Sequence, residues 1–102
     1  MSTDLSLLDD LDRIIHEPAR LKIMTQLFIV EQGDFIYLMH QTGLTRGNLS
    51  THMSKLEEAG YIEVIKEFID RKPVTMLRLT GKGREAFVRY RNNMRQVMGA
   101  LD

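Results

Sequence analysis

Residues 45–58 combine an apolar stripe with polar side chains of the kind that recognise nucleic-acid bases. Leu49, Met53 and Leu56 recur every three to four residues, a spacing that predicts the buried side of a helix. At about 100° per residue, the other side chains face outwards or lie on the flanks. These are Arg46, Gly47, Asn48, Ser50, Thr51, His52, Ser54, Lys55 and Glu58. Arginine and asparagine form paired hydrogen bonds with guanine and adenine, and small neighbours let a helix lie deep in the major groove.

Two features of this outer face favour DNA contact over simple solvation. Gly, Asn, Thr and Ser have poorer helix propensity than the Glu, Lys and Ala that suit a solvated helix. No acidic residue occurs between Phe35 and Lys55, so phosphate would meet no repulsion there. The alternative interpretation is an ordinary amphipathic helix in a small bundle.

Charge is unevenly distributed although the net charge of the 102 residues is zero. Residues 1–34 hold seven acidic residues against three Lys or Arg, whereas residues 66–95 hold nine Lys or Arg against three acidic residues. This asymmetry predicts a basic region that could face phosphates. Two solvated faces on different helices would explain it equally well.

Composition argues against enzymatic, metal-binding and membrane functions. The chain has no cysteine, and His16, His40 and His52 lack metal-ligand spacing, so neither a metal nor a cofactor is predicted. Gly81–Gly83 is too short to be a phosphate-binding loop, and no nucleophile motif is present, so we expect no enzyme. The acidic start at Met1–Asp12 does not resemble a secretory signal, and no apolar run approaches about 20 residues. We expect a cytoplasmic protein that does not enter membranes.

Hydrophobic periodicity, and the proline and glycine residues that interrupt it, predict the order of the helices and strands that position this outer face. The N-terminal half is predicted as a helix near residues 4–16, a helix from Pro18 to about Gly33, a brief extended segment at Asp34–Phe35 and a short helix ending at Gly43. Thr45 then caps the recognition helix, about residues 46–59, which Gly60 ends. The glycine-containing turn at Thr42–Thr45 matches a helix-turn-helix.

A β-hairpin and a last helix complete the single predicted domain, residues 1–102. Tyr61–Phe68 and Val74–Leu79 have strand composition, and the charged segment Ile69–Pro73 between them would form the tip of a hairpin over about 61–79. Thr80 would cap the final helix, about residues 81–100. The predicted fold class is mainly α with a small β-hairpin: a three-helix core plus a wing, flanked by N- and C-terminal helices.

The chain resembles winged helix-turn-helix transcriptional regulators of the MarR and ArsR type. The resemblance is carried by residues 16–23, 43–52, 55–62 and 71–84 and spans nearly the whole chain. It implies sequence-specific binding of a double-stranded operator by a homodimer, with Arg71 and Lys72 as wing contacts. The DNA contacts that it implies in the recognition helix are Thr45, Arg46, Asn48, Ser50, Thr51, His52 and Lys55.

The final helix carries apolar residues at coiled-coil spacing, which supports a dimer independently. The residues are Phe87, Tyr90, Met94, Val97 and Leu101. We expect them to pack with Leu7, Leu8 and Leu11 of the first helix across a two-fold dimer. Such a dimer would set the recognition helices about 34 Å apart and read a pseudo-palindrome. Packing of the last helix on the first helix of the same chain is the alternative.

A winged helix can also act as a protein-interaction module without touching DNA, and this is the main rival function. Acidic or apolar residues on the recognition helix and an uncharged wing would indicate it. Arg46, Lys55, Arg71 and Lys72 point to DNA instead. The methionines could line a pocket for a small-molecule effector, whose identity the sequence does not indicate.

Overall fold

The computed structural model describes residues 5–102. Within this range the chain forms four α-helices and one three-stranded antiparallel sheet. The helices are α1 (Pro18–Val30), α2 (Phe35–Thr42), α3 (Arg46–Glu58) and α4 (Gly81–Gly99). The strands are β1 (Gln32–Asp34), β2 (Ile62–Ile69) and β3 (Lys72–Leu79), in the spatial order β1-β3-β2. The predicted fold class is confirmed, and α3 and α4 lie within a residue of their predicted bounds.

The core is built around α1, which contacts α2, α3, α4 and the sheet. Ile23, Met24 and Leu27 of α1 are completely buried. Leu49 and Leu56 of α3 are also completely buried, and each such side chain contributes about 1.5–3 kcal/mol. The apolar stripe of α3 therefore fixes this helix against α1 and leaves its other face in solvent.

Side-chain caps start all four α-helices in the described range. Each capping oxygen accepts a backbone N–H of the first turn that has no partner within the helix. The caps are Glu17 for α1, Asp34 for α2, Thr45 for α3 and Thr80 for α4. The predicted Thr45 and Thr80 caps are confirmed.

The predicted N-terminal helix is wrong. A single 3-10 turn occupies Leu5–Leu8 and is followed by turns, while residue 4 lies outside the described residues. The Asp12 carboxylate accepts the N–H groups of Ile14 and Ile15, so it competes with the hydrogen bonds that a helix would need. Ile15 is nevertheless completely buried. Of the apolar residues in this predicted helix, Leu11 and Ile15 are buried, but Leu8 is exposed.

A third strand, which was not predicted, pairs with the outer edge of the hairpin. The predicted extended segment at Asp34–Phe35 is displaced, because Phe35 already belongs to α2 and the strand is Gln32–Asp34. This strand pairs with β3, with Gln32 opposite Arg78. A polar strand of three residues forms here because a neighbouring strand supplies its hydrogen bonds, which is a tertiary effect.

The tip of the wing is tighter than predicted. The predicted break at Ile69–Pro73 shrinks to a two-residue turn, because Lys72 and Pro73 belong to β3. Asp70 and Arg71 both have positive φ, 51° and 67°. Two central residues of positive φ match the twist of the flanking strands in a type I′ hairpin, although Asn-Gly is the usual choice.

The start of α4 is packed tightly against the base of the wing. A Cβ at Gly83 would collide with the backbone carbonyl of Tyr61. Thr80 links the same region, since its hydroxyl donates to the carbonyl of Gly60 at 2.6 Å. The direction of α4 is therefore set by the residues that lead into β2.

Candidate nucleic-acid interface

The turn between α2 and α3 is held by its own hydrogen bonds. Gly43 adopts a left-handed conformation (φ 71°) and donates its N–H to the carbonyl of Met39. The buried Thr42 hydroxyl donates to the carbonyl of Leu38 and accepts the N–H of Leu44. These contacts fix the orientation of α3 relative to α2, as a helix-turn-helix requires.

Most of the predicted contact residues of α3 share its solvent-exposed face. The exposed residues are Thr45, Arg46, Asn48, Ser50, Thr51 and Lys55. Gly47 lies among them, and a Cβ added there would meet no atom within 4 Å. The face is therefore shallow at Gly47, where another macromolecule can approach the helix closely.

His52 lies on the side of α3 that faces α1. Its Nδ1 is 3.0 Å from Nη1 of Arg20 and 3.5 Å from Oε2 of Glu17, and the side chain is only 20% exposed. Burial raises the pKa of Glu17, but the N–H groups of Arg20 and Ala19 and the positive charge of Arg20 outweigh it. The pKa of Glu17 is therefore lowered from its ordinary 4.5. This contact between α3 and α1 was not predicted.

Arg46 is oriented by an aromatic neighbour. Its guanidinium carbon lies 5.5 Å from the centre of the Phe35 ring, within the range of a cation–π interaction. The contact holds the arginine beside the first turn of α2 without burying it. The cation is thus partly preorganised at the edge of the exposed face.

The wing presents cations at its tip and one along its length. Arg71 and Lys72 are exposed at the turn, as predicted. Lys66, which the sequence analysis passed over, lines a cleft of about 430 Å³ between α3 and the wing, opposite Arg46 and Ser50. Strand alternation could have indicated it, because Lys66 follows Ile62 and Val64 at spacings of two.

Comparisons with known proteins agree with this geometry. A family model described as "Winged helix DNA-binding domain" matches residues 19–98. The chain belongs to this family. Within the winged helix domain, α3 occupies the place of the recognition helix and the β2–β3 hairpin that of the wing.

Relatives of this winged helix domain include archaeal proteins. An uncharacterized protein of Methanocaldococcus jannaschii is 40% identical over 78 residues, which cover 76% of this chain and 85% of that protein. The solved structure of a transcriptional regulator homologue from Pyrococcus horikoshii OT3 is 30% identical, with a TM-score of 0.86 over 95% of this chain and 94% of that one. The chain therefore has the architecture of a transcriptional regulator along almost its full length.

A DNA-bound structure shares the fold at lower similarity. A MarR family transcriptional regulator from Streptomyces coelicolor, solved in complex with DNA, is 22% identical with a TM-score of 0.59. The match covers 89% of this chain and 66% of that chain. The predicted winged helix fold is thus shared with this DNA-bound regulator.

The residues predicted for dimerisation divide into two groups in this winged helix domain. Leu11 and Tyr90 are buried within their own chain, and Phe87 stacks on Phe28 with ring centres 5.0 Å apart. The Tyr90 hydroxyl also lies 2.8 Å from Nδ1 of His16. Phe87 and Tyr90, the first two of the apolar residues predicted to form the dimer through the final helix, therefore pack within their own chain.

The other residues predicted for dimerisation, at the end of α4 and in the N-terminal segment, are more accessible to solvent. Leu8 and Leu101 are 46% and 66% exposed, and Leu7, Met94 and Val97 are half-buried. Met98, which was not predicted, is 56% exposed and lies beside Met94 in a shallow apolar depression along α4. No helix in the described range is both long and apolar enough to span a membrane.

Proposed function

We propose that the chain binds specific sequences in double-stranded DNA as a homodimer and regulates transcription, acting as a repressor. The observation that carries this proposal is the exposed face of α3, with its small polar side chains and Arg46, set beside a wing whose exposed cations include Lys66, Arg71 and Lys72. Charge and shape on one side of the molecule both suit a duplex.

In this proposal α3 enters the major groove. Arg46 and Asn48 supply the paired hydrogen bonds that distinguish bases, and Thr45, Ser50, Thr51 and Lys55 contact bases or neighbouring phosphates. His52 is directed towards α1, so its contribution is restricted to the edge of its ring. The absence of acidic residues from Phe35 to Lys55 lowers the electrostatic cost of approach.

The wing lies along the adjacent backbone and minor groove. Arg71 stands on a two-residue turn between fully paired strands, so it reaches outwards from a stiff support. A narrow minor groove attracts such an arginine, while Lys72 neutralises phosphate without reading sequence.

The dimer forms through α4 and the N-terminal segment. Leu8, Met98 and Leu101 are exposed apolar side chains that a second copy would cover. A two-fold axis there sets the recognition helices about 34 Å apart, so the operator is a pseudo-palindrome. A DNA-binding regulator of this kind acts in the cytoplasm of a prokaryotic cell and needs no cofactor.

Selection of bound duplexes from a random pool tests this function. The expected result is a two-fold symmetric motif whose binding weakens with salt, with a log–log slope of about −0.9 per neutralised phosphate. Arg46→Ala should relax base preference, whereas Lys72→Ala should weaken all duplexes alike. If the purified chain shows no salt-sensitive binding to any duplex, the protein-interaction module takes its place.

A further inference from the structure

The wing ends in an aromatic side chain that nothing in its own chain covers. Phe68 is 77% exposed, more than any other large apolar side chain in the described range. It lies near the end of β2 that leads into the turn, opposite Pro73 of β3. Single exposed apolar side chains are common on protein surfaces, so the position and the neighbours of Phe68 decide whether it has a role.

The hairpin holds Phe68 in a defined direction. Pairing between β2 and β3 continues without interruption from Ile62–Leu79 to Ile69–Lys72, and only Asp70 and Arg71 form the turn. Side chains alternate between the two faces of such a ladder. Phe68 therefore shares a face with Ile62, which is buried, while Ile69 is on the opposite face.

This shared face leads outwards from the core to the cleft beside α3. Lys66 lies two residues before Phe68 on the same face and lines the cleft together with Arg46 and Ser50. Phe68 is the fourth residue after the half-buried Val64, so it lies about 13 Å further along the strand towards the tip. A DNA strand following the cleft would meet Lys66 first and Phe68 next.

The charges around Phe68 favour a polyanion over an apolar protein partner. Lys66 shares the face of Phe68, and Arg71 lies in the adjoining turn. Glu67 and Lys72, which pairs with Ile69, point to the other face, and Asp70 lies within the turn. Proteins that bend DNA through the minor groove combine cations with an apolar wedge placed between base steps. The wing offers both on one rigid support.

We propose that Phe68 is a minor-groove wedge that partly unstacks one base step and bends the duplex. The proposal rests on the DNA-binding function above. Its consequence is specificity without base hydrogen bonds, since flexible pyrimidine–purine steps such as TA are the easiest to open. Each half-site of the operator would then carry such a step under the wing.

The test compares two wing variants on a duplex of about 30 base pairs from the selected pool, labelled at both ends for energy transfer. Phe68→Ser is the test and Ile69→Ser is its matched control, since both replace an exposed apolar side chain in β2. Wild type and Ile69→Ser should shorten the end-to-end distance at saturation. Phe68→Ser should bind about tenfold more weakly without shortening it, and Phe68→Leu should restore part of the bend.

Several results would overturn the wedge. If wild type binds but the end-to-end distance of the duplex does not change, the wedge proposal is wrong and the DNA-binding proposal stands. Equal bending by wild type and Phe68→Ser, or equal loss in both serine variants, would also remove it. Failure of wild type to bind any duplex would overturn the proposed function itself. Circular dichroism of each variant shows that the fold is retained before these results are compared.

Discussion

Nδ1 of His52 lies 3.0 Å from Nη1 of Arg20, which joins the recognition helix to the helix packed behind it. A guanidinium can only donate, so Nδ1 accepts this hydrogen bond and the ring carries its proton on Nε2. The contact therefore defines the tautomer of His52 as well as the position of α3. It also explains why a residue predicted from its place in the sequence as a DNA contact is half-buried.

Loss of this hydrogen bond should destabilise the domain. We expect a coupling free energy between His52→Ala and Arg20→Ala of about 1 kcal/mol in a double-mutant cycle measured by urea denaturation. His52→Asn keeps an acceptor near the position of Nδ1 and should recover part of the loss. Strict additivity of the two alanine substitutions would show that the contact contributes nothing to stability.

Acid should destabilise the domain partly through Glu17. Because its pKa is lowered in the folded state, its contribution to stability is present above its ordinary pKa of 4.5 and is lost as pH falls through the lowered value. The difference in unfolding free energy between wild type and Glu17→Gln should therefore shrink as pH falls below about 4.5. Glu63→Gln, which removes an exposed ion pair with Arg78, should show little difference at any pH. A constant difference for Glu17→Gln would contradict this role.

Gly83 and Gly81 should respond oppositely to alanine, although both lie in the first turn of α4. Gly83→Ala forces a methyl group into the carbonyl of Tyr61 and should cost about 3 kcal/mol or more. Gly81 has open space around its Cα, so Gly81→Ala should be neutral or stabilise the helix by up to about 1 kcal/mol. Chemical denaturation of both variants measures the contrast, and similar stabilities would refute the close packing of α4 on the wing base.

Gly47 should show a conflict between stability and DNA binding. Alanine fits the open space there and should stabilise α3 by about 0.5–1 kcal/mol. The added methyl group would hold α3 away from the groove floor and lower duplex affinity. Thermal unfolding and duplex titration together measure this, with Gly81→Ala as a variant that changes stability alone. Higher stability with unchanged affinity would mean that α3 does not approach DNA at Gly47.

Charge on the exposed end of α4 should separate the proposed dimer. Met98→Glu would bury a carboxylate between two apolar surfaces and should increase the dimer dissociation constant by at least about tenfold. Ile36→Glu alters an apolar side chain of similar exposure on α2 and should leave the dimer intact. Sedimentation over a range of concentrations distinguishes the two variants. A Met98→Glu dimer of undiminished stability would place the interface elsewhere.

Local signals in the sequence were sufficient for α3 and α4. The capping hydroxyls of Thr45 and Thr80 act within one turn, and the stripe from Leu49 to Leu56 needs only helical spacing. One local effect and one tertiary effect account for the two predictions that were wrong. Asp12 redirects the N-terminal backbone through its own side chain, and β1 exists because β3 lies beside it.

In the candidate site, too, some features follow from local signals in the sequence and others from tertiary packing. Helical spacing was enough to identify the exposed face of α3, but the contact of His52 with Arg20 depends on where α1 packs. The cleft beside Lys66 depends on the register and twist of β2 and β3, which composition does not encode. Phe68 was assigned to a strand, yet its exposure follows only from how far the hairpin extends beyond the core.

The contact of Gly83 with Tyr61 gives α4 the properties of a lever. The helix has 19 residues, and about 24 Å of it lies beyond Gly83, so a tilt of about 5° at Gly83 moves its far end by about 2 Å. Conversely, a displacement of the far end of α4 would tilt the helix at Gly83 and shift the start of β2, and with it the wing. In a dimer joined through α4, a change in the angle between the two helices would therefore be felt at both wing tips at once.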